Sequence, residues 1–387
     1  MNRRNFLSLT GTFTGGMLII PDFLYALGNS NSLITGNECI LFIQLNGGND
    51  GLNTFIPFQD EAYYYSRQTI GIHKNDVLNM RKGMGFHPDL KDFARIMQEG
   101  NLSVIQNVGY PNPNRSHFRS QEIWQTASAS NEYLSDGWLG RYLDNHYHDH
   151  NPVGGINLDS IDNLALKGKQ PNATTVRELN RYKTNLKINE DKLSDNPQLD
   201  FVRKIANSVS EGSNEIQKAL ANTTKSFSYP KTKLGKNIEW IAELIKGNLN
   251  SSVYYTSQNG YDTHDNQIQT QKRNFTELND AVAALYDDLI ASGKLSTTTI
   301  VIFSEFGRRV KDNGSGTDHG TAAPMFIIGG NNKGQIIGEN PNLFDLDEGD
   351  LKYKIDFRSV YASLLNNKLK FNPKKIGIDN NPIDNLF

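Results

Sequence analysis

Short apolar runs alternate along this chain with longer stretches of helical periodicity. The runs at 38–45 (ECILFIQL), 102–106 (LSVIQ), 251–256 (SSVYYT), 299–303 (TIVIF) and 324–328 (PMFII) are brief, and most are rich in β-branched or aromatic residues. Several are bounded by glycine and polar residues, as strands buried on both faces of a parallel sheet are. Between them, apolar residues recur at helical spacing over 87–99, 236–246, 267–292 and 356–365. A shorter amphipathic segment at 137–144 and a helix beginning near Ser116 complete the pattern. Strand–helix–strand is the repeating unit, which predicts an α/β fold: three layers, α/β/α, around a mostly parallel central sheet. Residues 159–230 are polar and rich in Asn and Lys, with weak helical periodicity over 198–220. They read as a helical insertion or cap over the sheet, where substrate specificity would reside.

The polar residues that follow the strands change this from a fold to a candidate site. In open α/β sheets, ligands bind outside the carboxyl ends of the strands. Asp50 stands in a glycine-rich turn after the first run, Asp262 and His264 after the third, and Glu305 directly after the fourth. His319 lies in the loop before the fifth run, preceded by Asp318, which would orient it. Oxygen and nitrogen donors gathered at one edge suit one or two divalent ions, with Zn, Mn, Mg and Ca all open. Two-ion sites of this kind hydrolyse phosphorus or related centres. Glu305 is expected to pair with Asp50 and Ser116, and His319 with Asp262 and His264.

A helix start offers free N–H groups to an anion. Ser116, Arg115 and Arg119 are therefore candidates to hold or attack a tetrahedral oxyanion, with His117 beside them. Ser116 reads equally as an ordinary N-cap with His117 facing solvent. His146, His148 and His150 alternate in an Asp- and Asn-rich segment that reads as an exposed loop.

Charge and composition exclude several classes. A formal net charge of −2 over 387 residues, with no basic run interleaved with aromatics, argues against a nucleic-acid surface. The single cysteine, Cys39, allows no intrachain disulfide and reads as a buried apolar residue. Arg3-Arg4, followed by an apolar stretch over 7–20, reads as a twin-arginine-type export signal over residues 1–28. The expectation is a mature chain at 29–387, one domain, carried outside the cytoplasm by the twin-arginine machinery, with no stable membrane span. No P-loop, dinucleotide-binding or Gly-x-Ser-x-Gly motif stands in a fitting context.

Five motifs in order carry a family resemblance: Gly47-Gly-Asn-Asp-Gly51, Arg115-Ser-His-Phe118, Gly260-Tyr-Asp-Thr-His264, Ser304-Glu-Phe-Gly-Arg308 and Thr317-Asp-His-Gly-Thr-Ala-Ala-Pro324. The chain resembles the exported bacterial family called domain of unknown function 1501, grouped with the alkaline phosphatase and sulfatase superfamily. That resemblance implies an alkaline phosphatase-like fold. It also implies a metal-dependent hydrolase of phosphate or sulfate esters, on a small molecule or a polysaccharide, with a Ser or metal-bound water as nucleophile. By it Asp50 matches the first metal aspartate, Ser116 the nucleophile, Asp262 and His264 one metal site, and His319 the late metal histidine. Two departures stand out. Glu305-Phe306 replaces the usual Asp-His, which makes the second site oxygen-rich, and the Cys/Ser-x-Pro-x-Arg signature of formylglycine sulfatases is absent. Phe306 also supports the alternative of a secreted, non-catalytic binding or assembly protein that retains the fold and a structural metal.

Overall fold

The computed structural model describes residues 38–147, 150–177, 211–223 and 227–387, which fall in one unit, Gly36–Phe387. The expected export segment at 1–28, His148 and most of the expected cap lie outside the described residues.

Strand β1, Cys39–Asn46, is buried along all but its last residue. Successive side chains of a strand point to opposite faces, so β1 feeds two cores. Leu41, Ile43 and Leu45 enter one with helices α1 (Lys91–Gln98), α4 (Lys233–Lys246) and α5 (Gln267–Ala291). Ile40 and Phe42 enter the other with α2 (His117–Thr126), α3 (Trp138–His146) and α6 (Phe357–Ser363). Apolar faces on both sides of the sheet, each covered by helices, make the fold a three-layer α/β/α sandwich.

The remaining strands of this sheet are β2 (Leu102–Gly109), β3 (Gly155–Leu158), β4 (Ala173–Thr175), β5 (Val253–Asn259), β6 (Thr298–Phe303), β7 (Ala323–Gly329), β8 (Ile336–Ile337) and β9 (Ile355–Asp356). Their order is β8-β2-β7-β6-β1-β5-β3-β4, with β9 also paired to β2. Strand β1 runs parallel to both neighbours, β5 and β6. Two expectations are corrected. The run at 324–328 is not a parallel strand: β7 is antiparallel to both β2 and β6. The insertion does not begin at 159, because Ala173–Thr175 pairs with β3 and extends the sheet. Among the described residues only the helical stretch 211–221 and its flanks belong to it thereafter.

The direction of β7 determines where the chemistry falls. The carboxyl ends of β1, β5 and β6 share one edge because these strands are parallel. An antiparallel β7 starts at that same edge, so the loop between β6 and β7 stays there throughout. Glu305 enters the loop and His319 leaves it without crossing the sheet. Helix α2 follows the carboxyl end of β2, which also lies at this edge because β2 and β6 both oppose β7.

Thr232 accepts from Gly235 N at the start of α4, and Asp356 from Arg358 N at the start of α6. His87, before α1, is buried with its ring against Phe275 at 5.0 Å, and its Nδ1 accepts from Asp89 N. Burial pushes its pKa down from 6.5 to about 4. The unfolded chain therefore binds the extra proton first, and stability falls as pH drops from about 6.5 to about 4, then levels. A shift of this size corresponds to roughly 3 kcal/mol. Urea unfolding of the wild type and His87→Gln at pH 4 and pH 7 should show a smaller acid loss in the variant. Equal losses would remove His87 as the cause.

Candidate metal centre

Four loops meet at the carboxyl edge, and one buried guanidinium ties three of them together. Arg308, five residues beyond β6, donates to Gly48 O at 2.7 Å, Gly47 O at 2.6 Å and Thr317 O at 2.9 Å. It also reaches Tyr261 O at 3.0 Å and Asp262 Oδ1 at 2.5 Å. Its side chain is fully buried, whereas that of Asp262 is 48% exposed. Burial alone would raise the Asp262 pKa, but the hydrogen bond and charge of Arg308, with His319, hold it at about 2. Asp262 is thus a carboxylate at any ordinary pH.

Three imidazoles gather on that one oxygen. Asp262 Oδ1 lies 3.1 Å from His264 Nε2, 3.1 Å from His319 Nε2 and 3.5 Å from His117 Nε2. Each ring is held from behind through Nδ1: His117 by Glu305 Oε1 at 2.8 Å, His264 by Asp318 Oδ1 at 3.1 Å, His319 by the Arg115 carbonyl at 2.8 Å. Carboxylates and carbonyls only accept, so Nδ1 carries the proton and Nε2 of a neutral ring presents its lone pair. His264 Nε2 and His319 Nε2 stand 3.0 Å apart. His117 Nε2 is buried without a hydrogen-bond partner among the described residues.

Lone pairs aimed at one another and at a carboxylate repel unless a cation lies among them, so these residues fit a metal ion. Among the described residues, the only group of three or more His, Cys, Asp or Glu with ligand atoms within 4.8 Å of one another is His117, Asp262 and His319. The Glu305 hydrogen bond raises the His117 pKa above its ordinary value, against the opposing effect of burial. A proton on Nε2 would compete with an ion there.

The remaining expected residues sit differently. Glu305 is not beside Asp50 and Ser116. It is fully buried behind His117, and Oε1 also accepts from Gly47 N at 2.9 Å and Gln121 Nε2 at 3.3 Å. Asp50 is fully buried in an ion pair with Arg67, and the same oxygen accepts from Gln267 Nε2 at 2.5 Å. The expected second, oxygen-rich site therefore does not assemble: one carboxylate is neutralised by Arg67 and the other holds an imidazole. Asp318 orients His264, not His319.

At the start of α2 the residue that reaches the cluster is His117. Ser116 is the N-cap, exposed, and its hydroxyl makes no cap bond. Arg115 pairs with buried Asp350, through Nε at 2.7 Å and Nη2 at 2.5 Å, so its side chain is not free to hold an oxyanion. Arg119 bonds Glu122 and the Ser130 and Glu132 carbonyls, with its guanidinium 3.8 Å from the centre of the Tyr133 ring. Helical geometry explains this: residues two apart point about 200° from each other. His117 inward sends Arg119 elsewhere, whereas Ser120 and Gln121, on the face of His117, bond Glu305 through its carbonyl at 2.7 Å and through Oε1. His146 ends α3, stacked on Tyr142.

Residues 102–367 match the family model described as "Protein of unknown function (DUF1501)". The chain belongs to the DUF1501 family. No curated protein matches it. Solved structures similar to this DUF1501 chain include the PsFucS1 sulfatase from Pseudoalteromonas sp., at 9% identity over 96% of this chain and 77% of that one, TM-score 0.42. Another is the phosphonate monoester hydrolase SpPMH from Silicibacter pomeroyi, at 10% identity over 90% and 76%, TM-score 0.41. A third is the lipoteichoic acid synthase LtaP from Listeria monocytogenes, at 9% identity over 90% and 79%, TM-score 0.39.

Sequence reasoning missed Arg308 and Arg67, although Arg308 closes one of the five motifs. It named Phe306 only as a departure from the usual pattern, without its contacts. That ring packs 4.8 Å from the His117 ring and 5.1 Å from the His319 ring. Gly48, at φ +71°, makes room for it, since a Cβ there would lie 2.2 Å from Phe306 Cε2. Gly48→Ala should destabilise the fold by about 2–4 kcal/mol, from the positive φ and the clash together. In Gly48→Ala/Phe306→Ala the steric part should vanish, giving a favourable coupling of about 1–3 kcal/mol in a double-mutant cycle read by urea unfolding. Strict additivity would mean that the two do not touch.

Proposed function

We propose that this protein is an exported, metal-dependent hydrolase of phosphate or sulfate esters, built on a single ion. One observation carries the reading: three imidazoles, each fixed through Nδ1, turn Nε2 toward one carboxylate oxygen held ionised by Arg308. His117, Asp262 and His319 would hold the ion, with His264 beside them on the solvent side. Two nitrogens and one oxygen, with the His264 nitrogen beside them, favour Zn²⁺ over Mg²⁺ or Ca²⁺. When bound, such an ion supplies Lewis-acid polarisation of a substrate oxygen and stabilises developing negative charge.

The chain's own residues supply orientation. Glu305, Asp318 and the Arg115 carbonyl set the imidazole tautomers, and Arg308 fixes the three loops around Asp262. Phe306 walls the site on one side and keeps water from the faces of two rings. Ser116, exposed one residue before His117, remains the candidate nucleophile that the family resemblance suggests.

Elemental analysis of protein purified without chelator should find a single zinc equivalent per chain. His319→Ala should lose the metal and all hydrolysis of aryl phosphates and aryl sulfates. Glu305→Gln should weaken the metal about 10- to 100-fold while leaving the ligands in place. Ser116→Ala should keep the metal, and its turnover decides whether that hydroxyl attacks. Carefully prepared protein that holds no metal would defeat the reading.

Phe306 over the imidazoles, with four donors already around one point, also favours a second reading: a secreted binding protein with a structural metal. A full complement of metal with no turnover across a broad panel of esters would select it.

Export rests on Arg3-Arg4 before the apolar stretch at 7–20. Replacing both arginines by lysine should leave the protein in the cytoplasm on cell fractionation. Unchanged export would point to the general secretory route.

A further inference from the structure

A cavity of about 490 Å³ shares Phe306 with the candidate metal centre. Its walls include Tyr110, Asn112, Phe306, Lys352, Tyr353 and Lys354. We propose that this cavity is the subsite for the leaving group, and that it takes a six-membered ring, aryl or sugar, bearing a second negative charge. The proposal deepens the hydrolase reading and rests on it for the identity of the reacting ester, but not for binding of the ring.

Three observations point the same way. The first is size: small-molecule sites run from roughly 300 to 1,000 Å³, and one ring with its substituents fills the lower part of that range. The second is chemistry. Three aromatic side chains line the space, and aromatic walls suit a planar ring or the apolar face of a sugar. Two lysines stand at the same cavity. Lys352 is paired with Asp345 and Asp347 also stands at the cavity, whereas exposed Lys354 acts on Asp345 through its charge alone and has no hydrogen bond or ion pair among the described residues. Its ammonium, beside the aromatic rings, is the group that would meet an anion on the ring.

The third observation is that the walls are built into the metal-site loops. Tyr110 O–H donates to Ser120 Oγ at 2.8 Å, and Ser120 donates to the Glu305 carbonyl at 2.7 Å. This fixes the Tyr110 ring against the loop after β6. The opposite wall follows a two-stranded hairpin, Leu346–Asp347 with Asp350–Leu351. That hairpin is pinned by the buried Asp350–Arg115 pair and by Thr321, whose hydroxyl bonds Leu351 O. Arg115 is the residue whose carbonyl holds His319. The same residue thus sets one imidazole and anchors one wall of the cavity, so the cavity and the metal centre keep a fixed spacing. Phe306 borders both: its ring packs on the His117 and His319 rings and also lines the cavity.

The test is direct binding of 4-hydroxybenzenesulfonate, which has no ester to hydrolyse, measured by calorimetry on the metal-loaded full chain. Phenol supplies the ring without the charge, and methanesulfonate the charge without the ring. Both should bind at least about fivefold more weakly than the probe. Tyr353→Ala and Lys354→Gln, both at exposed positions, should weaken the probe by at least about fivefold. The wild-type chain stripped of metal by a chelator should bind it as the metal-loaded chain does. Equal affinity in the wild type and both cavity variants would overturn the subsite, as would binding that is lost on removal of the metal alone. Cavity-dependent binding in a protein that turns over no ester supports the subsite while removing the hydrolase reading.

Discussion

Asp262 and Arg308 form the interaction on which the edge of this molecule depends. A guanidinium taken fully out of water costs several kcal/mol unless its donors are met and its charge is balanced. Here four backbone carbonyls, from Gly47, Gly48, Tyr261 and Thr317, meet the donors, and Asp262 balances the charge. Those carbonyls belong to the loops after β1, after β5 and between β6 and β7. The ladders end before these loops, and beside backbone bonds such as Thr317 N to Thr263 O the buried cation ties them together, leaving Asp262 ionised with a face to solvent. Removal of either partner would leave the other unpaired, so the loops and the carboxylate are specified jointly.

The imidazoles complete this arrangement from the outside. Each has its Nδ1 proton committed to a different acceptor, one a buried carboxylate, one an exposed carboxylate and one a main-chain carbonyl. This commitment separates the group from a chance cluster. Histidines free to rotate would turn their N–H toward Asp262 and settle as an ordinary hydrogen-bonded network. With Nδ1 held, the lone pairs are directed inward, and the electrostatic account closes only with a proton or an ion among them. The Glu305 hydrogen bond that commits His117 Nδ1 also raises its pKa above the ordinary value. Metal binding at this edge should accordingly displace a proton.

The sheet was legible in the sequence because burial on both faces writes a continuous apolar run, and every such run is a strand here. Strand direction was not legible. Nothing in Pro324-Met-Phe-Ile-Ile328 distinguishes parallel from antiparallel pairing, because both faces are covered either way. The site was legible as residues at an edge: Asp262, His264 and His319 do converge. Sequence position could not show which carboxylates are neutralised internally. Asp50 sits at the end of a central strand as expected, yet Arg67, seventeen residues on, takes its charge. Glu305 also lies where expected but faces an imidazole. Helical phase places His117, Ser120 and Gln121 on one face and Arg119 on another, so the sequence itself separates the site residue from the structural one.

Phe306 shows how a departure from a familiar pattern changes a site without abolishing it. A ligand-bearing side chain at this position would add a donor to the cluster and draw Glu305 outward. An aromatic ring does neither. It occupies the space that Gly48 leaves open, lies against the rings of His117 and His319, and excludes water from that flank. Glu305 is then buried, where a lone carboxylate is costly, and is retained because three donors surround it: Gly47 N, His117 Nδ1 and Gln121 Nε2. Glu305 thus positions an imidazole. The Phe306 ring also has a second surface, toward the aromatic cavity, so that one residue couples the donor set to the shape of the space beside it.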